Sequence, residues 1–392
     1  MRAMRWSAAV LLVLLLAACG STPEIDPPAG LTDFTAERYV KKLWTQKLRI
    51  RDRKTAVPIV PVVESDVVYM ASDRGRMVAF SAARGRERWK TRVQAHVTGG
   101  LGSAGELLLL GTSKAEVIAI SKRNGKIVWR HRLTSEVLAP PVEAGGVIVA
   151  RTVDGRLFGI SAVSGERLWM YEKSVPSLTL RGLGTPVIVE RRVYVGAADG
   201  SIVALSLTSG EVVWEKSIAT PKGRSELDRL VDVDGDLIVS DGVIYAAAYQ
   251  GNIVALAAES GRLLWQREMS SYSGLTVDER NIYLADDRSI IRALDRKSGE
   301  TVWTQDALRM RSVTRPVDHG DFVVTGDYEG YLHWLAKSDG RLIARRRIDE
   351  SGIHVAPVIA DDVLYAAGQG GTITALKLMS PKKPLAPKRT AG

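Results

Sequence analysis

Three aspartates at alternating positions are the first candidates for chemistry in this chain. Asp232, Asp234 and Asp236 have the opening spacing of a calcium-binding loop, in which alternating acidic residues supply oxygen ligands. The rest of such a loop is missing, because Leu237 stands where the turn glycine belongs and Val243 where the bidentate glutamate belongs. We therefore expect no calcium here, and a titration that detected binding would contradict this.

Adjacent acids and scattered histidines complete the set of candidate catalytic groups. Asp286-Asp287 and Asp361-Asp362 fall in predicted turns, and neighbouring residues of an extended chain point apart, which makes them poor acid and base pairs. The histidines occupy unrelated positions of the repeat described below: His96, His131, His319, His333 and His354. The sequence has no glycine-rich phosphate loop, nucleophile elbow or metal motif. It predicts a protein that is not an enzyme and carries no cofactor or metal.

Cys19 is the one residue with a clear chemical role. Two arginines and an apolar run, residues 8–18, precede it, in the layout of a signal peptide too short to span a bilayer. The sequence LAAC that ends at Cys19 resembles the bacterial lipobox, whose cysteine is acylated and becomes the first mature residue. Cys19 is also the only cysteine, so its thiol has no disulfide partner within the chain. We predict a signal peptide at 1–18 and a lipid on Cys19; the alternative is an ordinary signal peptide with an incidental cysteine.

The regions next to the two ends differ from the body of the chain. Residues 19–31 form a Pro/Gly-rich segment that we predict to be a flexible tether, and 380–392 a disordered, basic, Pro-rich tail. Gly20 and Ser21, and not aspartate, follow the cysteine. The resemblance to lipoproteins of Gram-negative bacteria then implies passage to the outer membrane, with the body of the protein on its periplasmic face. Six basic residues near the ends account for more than half of the formal net charge of +10. The remainder has no basic cluster interleaved with aromatics, so nucleic acid is not an expected partner.

A repeated stretch must position everything else. It is GNIVALAAESGRLLW at 251–265, and near-copies occur at 75–89, 115–129, 155–169, 200–214 and 289–303. A further copy at 330–344 ends in Ala344 instead of Trp, and the last, from 371, stops before its turn. Short apolar runs separated by x-Gly pairs predict four antiparallel strands per unit. Four-stranded units that recur about every 40 residues indicate propeller blades.

Eight units predict an all-β, eight-bladed β-propeller over residues 32–379. The last unit lacks its outer strand, and residues 39–48 carry Trp44 without a preceding hairpin. We therefore predict that this N-terminal strand completes the last blade and closes the ring. The tryptophans that end the outer strands are predicted to dock between blades: Trp44, Trp89, Trp129, Trp169, Trp214, Trp265 and Trp303. Ala344 predicts a weaker junction between the seventh and eighth blades.

The pattern xxSGxxxW resembles the tryptophan-docking repeat of quinoprotein dehydrogenases, although those enzymes hold their quinone against a disulfide that cannot form here. Over essentially the whole chain the sequence resembles the BamB family, lipoproteins of the outer-membrane β-barrel assembly (BAM) machinery. The segments SLTLRG (177–182) and ELDRLVDVD (226–234) match it most specifically. In that family they lie in adjacent loops that contact the POTRA domains of BamA. The resemblance implies a non-catalytic scaffold that assists the folding and insertion of β-barrel proteins.

Three connections are longer than the rest, and two of them point to the same segments independently. The third, of 31 residues after Trp44, carries the basic run 49–54, and the sequence leaves open whether it belongs to the same site. The distances from Trp169 and Trp214 to the next copies are 31 and 37 residues, and these connections are consecutive. Insertions on one face of a repeat protein are where binding tends to reside.

The predicted partner-binding residues fall in these two connections: Leu178, Leu180, Arg181, Asp232 and Asp234. The two leucines would be apolar anchors, Arg181 a forked donor and the aspartates its partners or acceptors. The alternative is that the leucines only fill the junction of two blades.

Two classes of function remain open at this point. The first is the scaffold, monomeric apart from its complex, whose strand edges could also pair with β-barrel precursors. Cross-linking that found precursors only on BamA would count against that pairing. The second is a periplasmic quinoprotein-type enzyme or ligand binder, against which the absent cysteine pair argues. A purified protein without quinone absorbance would dismiss the quinoprotein.

Overall fold

A computed structural model describes residues 26–48, 59–176, 184–219, 231, 233, 235–271 and 273–380. They form thirty-two strands in eight four-stranded antiparallel sheets. Strand β1 is Tyr39–Lys47. Blade 1 contains β2 Val62–Glu64, β3 Val67–Ala71, β4 Arg76–Ser81 and β5 Glu87–Arg92. Blade 2 contains β6 Val97–Ala104, β7 Leu107–Thr112, β8 Glu116–Ser121 and β9 Ile127–Arg132. Blade 3 contains β10 Val142–Ala144, β11 Val147–Arg151, β12 Arg156–Ser161 and β13 Arg167–Glu172.

The same four-strand pattern continues through the second half of the chain. Blade 4 contains β14 Val187–Val189, β15 Arg192–Gly196, β16 Ser201–Ser206 and β17 Val212–Ser217. Blade 5 contains β18 Ile238–Ser240, β19 Val243–Ala247, β20 Asn252–Ala257 and β21 Leu263–Glu268. Blade 6 contains β22 Leu275–Val277, β23 Asn281–Ala285, β24 Ile291–Asp295 and β25 Thr301–Gln305. Blade 7 contains β26 Val317–His319, β27 Phe322–Gly326, β28 Tyr331–Ala336 and β29 Leu342–Arg347. Blade 8 contains β30 Val358–Ala360, β31 Val363–Ala367 and β32 Thr372–Met379.

The first strands of the blades contact one another in cyclic order, and the first strand of blade 8 contacts that of blade 1. This closed circle confirms the predicted eight-bladed propeller. The ring is closed through β1, which pairs antiparallel with β32 from Tyr39↔Met379 to Lys47↔Thr372. The second and third strands of the blades are almost wholly buried, as in blade 5, whereas the outer strands are mostly exposed except β29 in blade 7. Among the described residues, no helix has the length and apolar character needed to cross a bilayer.

Antiparallel order places the connections on two faces of the ring. The connections between blades and the turns between second and third strands share one face, which we call the loop face. The turns between first and second strands and between third and fourth strands lie on the opposite face. Residues 26–38, which include the described part of the predicted tether, lie against blades 6 and 7 and are described further below.

The docking tryptophans lie within the outer strands and not at their ends, since the strands continue past them, as β13 does past Trp169. Each of these tryptophans reaches into the following blade. The indole Nε1 donates to a backbone carbonyl there, as Trp169 does to Leu207 O at 2.8 Å and Trp44 to Ala82 O at 2.7 Å. The ring also covers the glycine of the next blade's turn: a Cβ on Gly210 would lie 2.5 Å from Trp169. That glycine has φ +73°, a backbone conformation that favours glycine. The same arrangement recurs for the other docking tryptophans: Trp89, Trp129, Trp214, Trp265 and Trp303.

Blade 7 reverses a size pairing that the other blades keep. In those blades the outer-strand Trp is opposite a small residue of the neighbouring strand, as Trp265 is opposite Ala255. In blade 7 the small residue is Ala344 and its partner across the sheet is Trp334, which is fully buried. Trp334 Nε1 donates to His319 Nδ1 at 3.0 Å. The junction with blade 8 thus contains a tryptophan after all, on the third strand of the blade and not the fourth.

Candidate functional site

The predicted partner-binding residues Leu178, Leu180, Arg181, Asp232 and Asp234 lie outside the described residues, and so does the predicted lipid-attachment residue Cys19. The described flanks show where the two long connections begin and end. The first runs from β13 in blade 3 to β14 in blade 4, and the second from β17 in blade 4 to β18 in blade 5. The described ends of both lie on the loop face, above consecutive blades.

The two connections are tied together near their ends. The side chain of Asp236, in the second connection, accepts a hydrogen bond from the backbone N–H of Thr185, in the first, at 2.9 Å. Val231 and Val233 are buried in the apolar cluster between blades 4 and 5, where they pack with Ile218. The described ends of both connections are therefore fixed to the ring and to each other. Asp236, the third aspartate of the calcium-like spacing, thus accepts a hydrogen bond from the backbone of Thr185.

A cavity of about 320 Å³ lies beside the first connection, between blades 3 and 4. Leu138, Leu157, Tyr171, Val175 and Val195 provide its apolar lining. Val175 is close in sequence to the first connection's undescribed part. The volume is at the lower end of what small-molecule pockets occupy and is large enough to hold an apolar side chain.

Arg151 contributes a buried charge to this cavity. It ends β11, and its side chain is only 5% exposed. One guanidinium nitrogen is 3.5 Å from the carbonyl oxygen of Gly184, to which it donates. The equivalent position of every other blade is glycine or alanine: Ala71, Gly111, Gly196, Ala247, Ala285, Gly326 and Ala367. Sequence reasoning missed Arg151, although this break in the repeat was a signal that could have found it.

Lys173 joins blade 3 to blade 4 at the edge of the same cavity. Its ammonium group lies 2.9 Å from the carboxylate of Asp199 and also contacts Glu215. It donates to Ser201 Oγ at 2.8 Å. Burial lowers the pKa of Lys173, but the hydrogen bonds to Glu215 and Asp199 outweigh burial, so the pKa lies above its ordinary value. Burial raises the pKa of Asp199, and bonds from Ser201 and Lys173 reverse the direction. Both groups are charged near neutral pH.

The other candidate residues have structural roles in the described part of the chain. Asp286 accepts hydrogen bonds from backbone N–H groups of its own turn and pairs with Arg292 at 3.1 Å. Asp361 and Asp362 both have positive φ in the turn between β30 and β31. No group of three or more potential metal ligands occurs among the described residues. On the loop face of blades 3 and 4, Lys173 and Asp199 form an ion pair at the edge of an apolar cavity.

Comparison with known proteins gives consistent relatives. A family model described as "Outer membrane protein assembly factor BamB" matches residues 37–99, 94–305 and 287–380. The "Outer membrane protein assembly factor BamB" of Pseudomonas aeruginosa is 48% identical over 374 residues, which are 95% of this chain and 98% of that protein. The crystal structure of BamB from Moraxella catarrhalis superposes with a TM-score of 0.79 at 28% identity, covering 86% of this chain and all of the other.

A more distant structure shares the fold. Quinohemoprotein alcohol dehydrogenase from Comamonas testosteroni has a TM-score of 0.70 at 14% identity, covering 88% of this chain and 77% of that one. At this identity the similarity concerns the propeller alone. The repeat resemblance to quinoproteins therefore reflects a common scaffold.

Proposed function

The chain belongs to the BamB family of outer-membrane protein assembly factors, and from this premise we propose that it binds BamA through the loop face of blades 3 to 5. In this proposal it is a scaffold lipoprotein of the BAM complex that helps β-barrel proteins fold and insert. It would be held at the periplasmic face of the outer membrane by a lipid on Cys19. Its relatives are named as assembly factors, and the chain is accordingly a non-catalytic member of the complex.

One observation supports the site above all others. The two long connections, consecutive in the ring, are joined by the hydrogen bond from Thr185 to Asp236. Segments fixed at their ends lose less conformational entropy on binding than free ones do, which favours affinity. The proposed contact residues of each connection would thus be presented together to one partner surface.

The roles proposed for the contact residues follow from their chemistry. Leu178 and Leu180 would be the apolar anchors of the interface, where buried side chains contribute most of the binding energy. Arg181 would pair with a carboxylate or with backbone carbonyls of the POTRA domains through its planar guanidinium. Asp232 and Asp234 would orient that arginine or accept hydrogen bonds from the partner.

Combined alanine substitution of Leu178, Leu180 and Arg181 tests the site. We expect binding to purified BamA POTRA domains to be lost, because each hot-spot residue contributes at least about 2 kcal/mol of binding free energy. The thermal unfolding midpoint should stay nearly unchanged. The two effects separate because interface residues on connections support the ring less than core residues do. Calorimetric or surface-based binding and thermal unfolding measure them.

Val163→Ala is the matched control. Val163 is 89% exposed and lies in a turn on the opposite face, between β12 and β13. We expect this variant to bind like the wild type. If the triple variant lost stability and binding together, the leucines would be filling a blade junction and the site assignment would be wrong.

A further inference from the structure

Residues 26–38, which we call the N-terminal strap, lie along blade 7 and cross to blade 6. They have no regular secondary structure. Asp26, Ala29, Leu31 and Phe34 are half-buried, whereas most of the residues between them are exposed. One side of the strap therefore faces the propeller.

Arginines of the loop face hold the beginning of the strap. The carboxylate of Asp26 pairs with Arg288 at 2.7 Å and also with Arg309. The backbone N–H of Ala29 donates to Arg309 O at 2.9 Å, and Arg311 donates to Ala29 O at the same distance. Arg288 is in the turn between β23 and β24, and the other two arginines are in the connection between β25 and β26. Asp26 is consequently on the loop face, the face of the proposed partner site.

The strap's binding surface is itself rigid. The side chain of Arg311 is 2% exposed and is paired with Asp327, which is fully buried, at 2.8 Å. Burial raises the pKa of Asp327, but hydrogen bonds from His333, backbone N–H groups and Arg311 lower it overall, so the carboxylate is ionised. Arg311 is thereby fixed with one guanidinium nitrogen directed at Ala29 O.

The outer strand of blade 7, β29, and the residue before it hold the rest of the strap. Arg345 donates to Thr32 O at 2.8 Å, and its guanidinium lies over the ring of Phe34, 5.0 Å from the centroid. Arg341 makes two hydrogen bonds to the carboxylate of Glu37, at 2.9 and 3.1 Å. Cation–aromatic and forked arginine–carboxylate contacts are among the stronger surface interactions.

The few residues between Cys19 and the docked strap limit how far the propeller can lie from a lipid on Cys19. Asp26 lies seven residues after Cys19. Seven residues span at most about 25 Å when fully extended, whereas the twenty residues from Cys19 to the start of β1 could span about 70 Å. A docked strap therefore shortens the reach of a lipid anchor to roughly a third.

We propose that the N-terminal strap is an intramolecular docking element that stays bound when the chain is lipid-anchored, and that it holds the loop face of blades 6 and 7 within about 25 Å of the membrane surface. The orientation relative to the bilayer rests on the proposed lipid at Cys19; the docking does not. The strap thus directs the loop face of blades 6 and 7 towards the lipid headgroup layer.

Energy transfer from a labelled cysteine to the membrane tests the orientation. Lipid attachment uses the thiol of Cys19, so an introduced cysteine is the only free thiol. Glu350→Cys reports from the loop face of blade 7, and Asp321→Cys reports from the opposite face of the same blade. Lipidated protein is bound to vesicles of phosphatidylethanolamine and phosphatidylglycerol that carry an acceptor-labelled headgroup. We expect stronger transfer from position 350 than from position 321.

The combined variant Asp26→Arg with Phe34→Ala releases the strap. We expect transfer from position 350 to fall and the difference between the two positions to be lost. Thr35→Arg, a charge change at an exposed position of the same segment, is the matched control and should transfer like the wild type. Transfer that is equal at both positions in the wild type, or unchanged in the release variant, would overturn the proposed orientation.

Hydrogen exchange at Ala29 tests the docking separately, in the protein without lipid. The amide of Ala29 should exchange slowly in the wild type and faster in the release variant, because its bond to Arg309 O is lost. An amide that already exchanges at the unfolded rate in the wild type would overturn the docking. If the vesicles fail to retain the full chain, the lipid assignment of the proposed function is wrong, and the exchange result still decides the docking. We expect the release variant to bind POTRA domains like the wild type, because the strap lies outside the proposed partner site. This measurement therefore separates the strap proposal from the proposed partner site.

Discussion

Two buried histidines show how single side chains are fixed in blade 7. Nδ1 of His319 accepts from the indole of Trp334 at 3.0 Å, and Nδ1 of His333 accepts from Arg345 Nε at 3.3 Å. Each ring must be unprotonated at that nitrogen, because a proton there would face another donor. Burial lowers the pKa of both histidines, and the nearby carboxylates of Asp362 and Asp327 oppose this without outweighing it. Both are neutral in the folded protein.

Stability should accordingly fall as the pH decreases from 7 to 5. The unfolded chain takes up protons near the ordinary histidine pKa of about 6.5, while the folded chain takes them up only at lower pH. The unfolded state thus binds more protons in this window, and folding becomes less favourable on acidification. In His319→Asn, whose amide oxygen can still accept from Trp334, we expect a smaller decrease of the thermal midpoint over the same range.

His354→Asn removes an exposed histidine and is the control for that measurement. It should keep the wild-type pH dependence. A wild-type slope in His319→Asn would mean that this histidine contributes nothing to the acid sensitivity.

At this scale the sequence predicted positions that follow the repeat and missed those that depend on distant partners. The docking tryptophans could be named because their spacing is regular. Lys173 could not, since Asp199 and Glu215 come close to it only after blades 3 and 4 pack. Arg151 lies between these cases. Once the blades are aligned, the sequence shows arginine at a position where the other blades have glycine or alanine.

A contact between a tryptophan and a turn glycine recurs at seven of the eight junctions between blades. The turn glycine of one blade, for example Gly261, lies under the indole of the preceding blade, here Trp214. A side chain at the glycine would require both an unfavourable backbone conformation and displacement of the ring. This explains why the Ser-Gly part of the repeat accompanies the Trp.

Gly261→Ala should therefore cost more than the same change at another glycine of blade 5. Gly242 has φ +73°, and a Cβ added there would meet no atom within 4 Å, whereas Gly261 has φ +68° and its added Cβ would lie 2.7 Å from Trp214. We expect Gly242→Ala to destabilise by about 1 kcal/mol through backbone conformation. Gly261→Ala should lose about 1–3 kcal/mol more because it overpacks the junction.

Chemical denaturation measures the two free energies of unfolding. Equal losses would show that the indole moves aside without cost and that the junction is loosely packed. The larger loss at Gly261 is the specific expectation, since both substitutions share the backbone contribution.

Blade 7 changes the basis of one expectation about these junctions. Ala344 predicted a weaker contact with blade 8, on the assumption that an aromatic side chain was absent. Trp334 supplies one from the neighbouring strand, and Arg346 donates to Val40 O of β1 at 2.6 Å across the same junction. The weaker junction stays a prediction, and sequence spacing alone could not reveal the exchange because it compares like positions only.

Ring closure concerns the whole molecule, since β1 provides both backbone pairing and the last docking tryptophan. Trp44 on β1 covers Gly85 in blade 1 and thereby connects the two ends of the circle. Without β1, strand β32 would have an unpaired edge of the kind that promotes aggregation.

A chain that begins at residue 49 should lose the monomeric fold. We expect aggregates or a strongly lowered unfolding midpoint in size-exclusion chromatography and thermal scans. A chain that begins at residue 39 lacks the strap but keeps β1, and should remain a folded monomer. A folded monomer from the shorter chain would show that the other strands close the ring without β1.

Architecture was predictable at this scale because each blade repeats the same pattern of strands and turns in the sequence. The prediction of four antiparallel strands per unit is confirmed, for example, by β18 to β21 in blade 5. The course of residues 26–38 was not predictable, since Asp26 pairs with Arg288, more than 260 positions away. Proline and glycine in this segment suggested a tether, and composition does not show which arginines are available to bind it.

The strap also determines how mechanical load would pass into the propeller. Tension applied at the N-terminus, as when a membrane-held anchor and a bound partner move apart, reaches Asp26 and the loop-face arginines first. The contacts of Ala29, Thr32 and Phe34 follow in series, and the β1–β32 pairing is loaded only after them. Surface ion pairs re-form readily after rupture, whereas a peeled closing strand opens the ring. Under tension, the contacts of the strap would therefore break before β1 separates from β32.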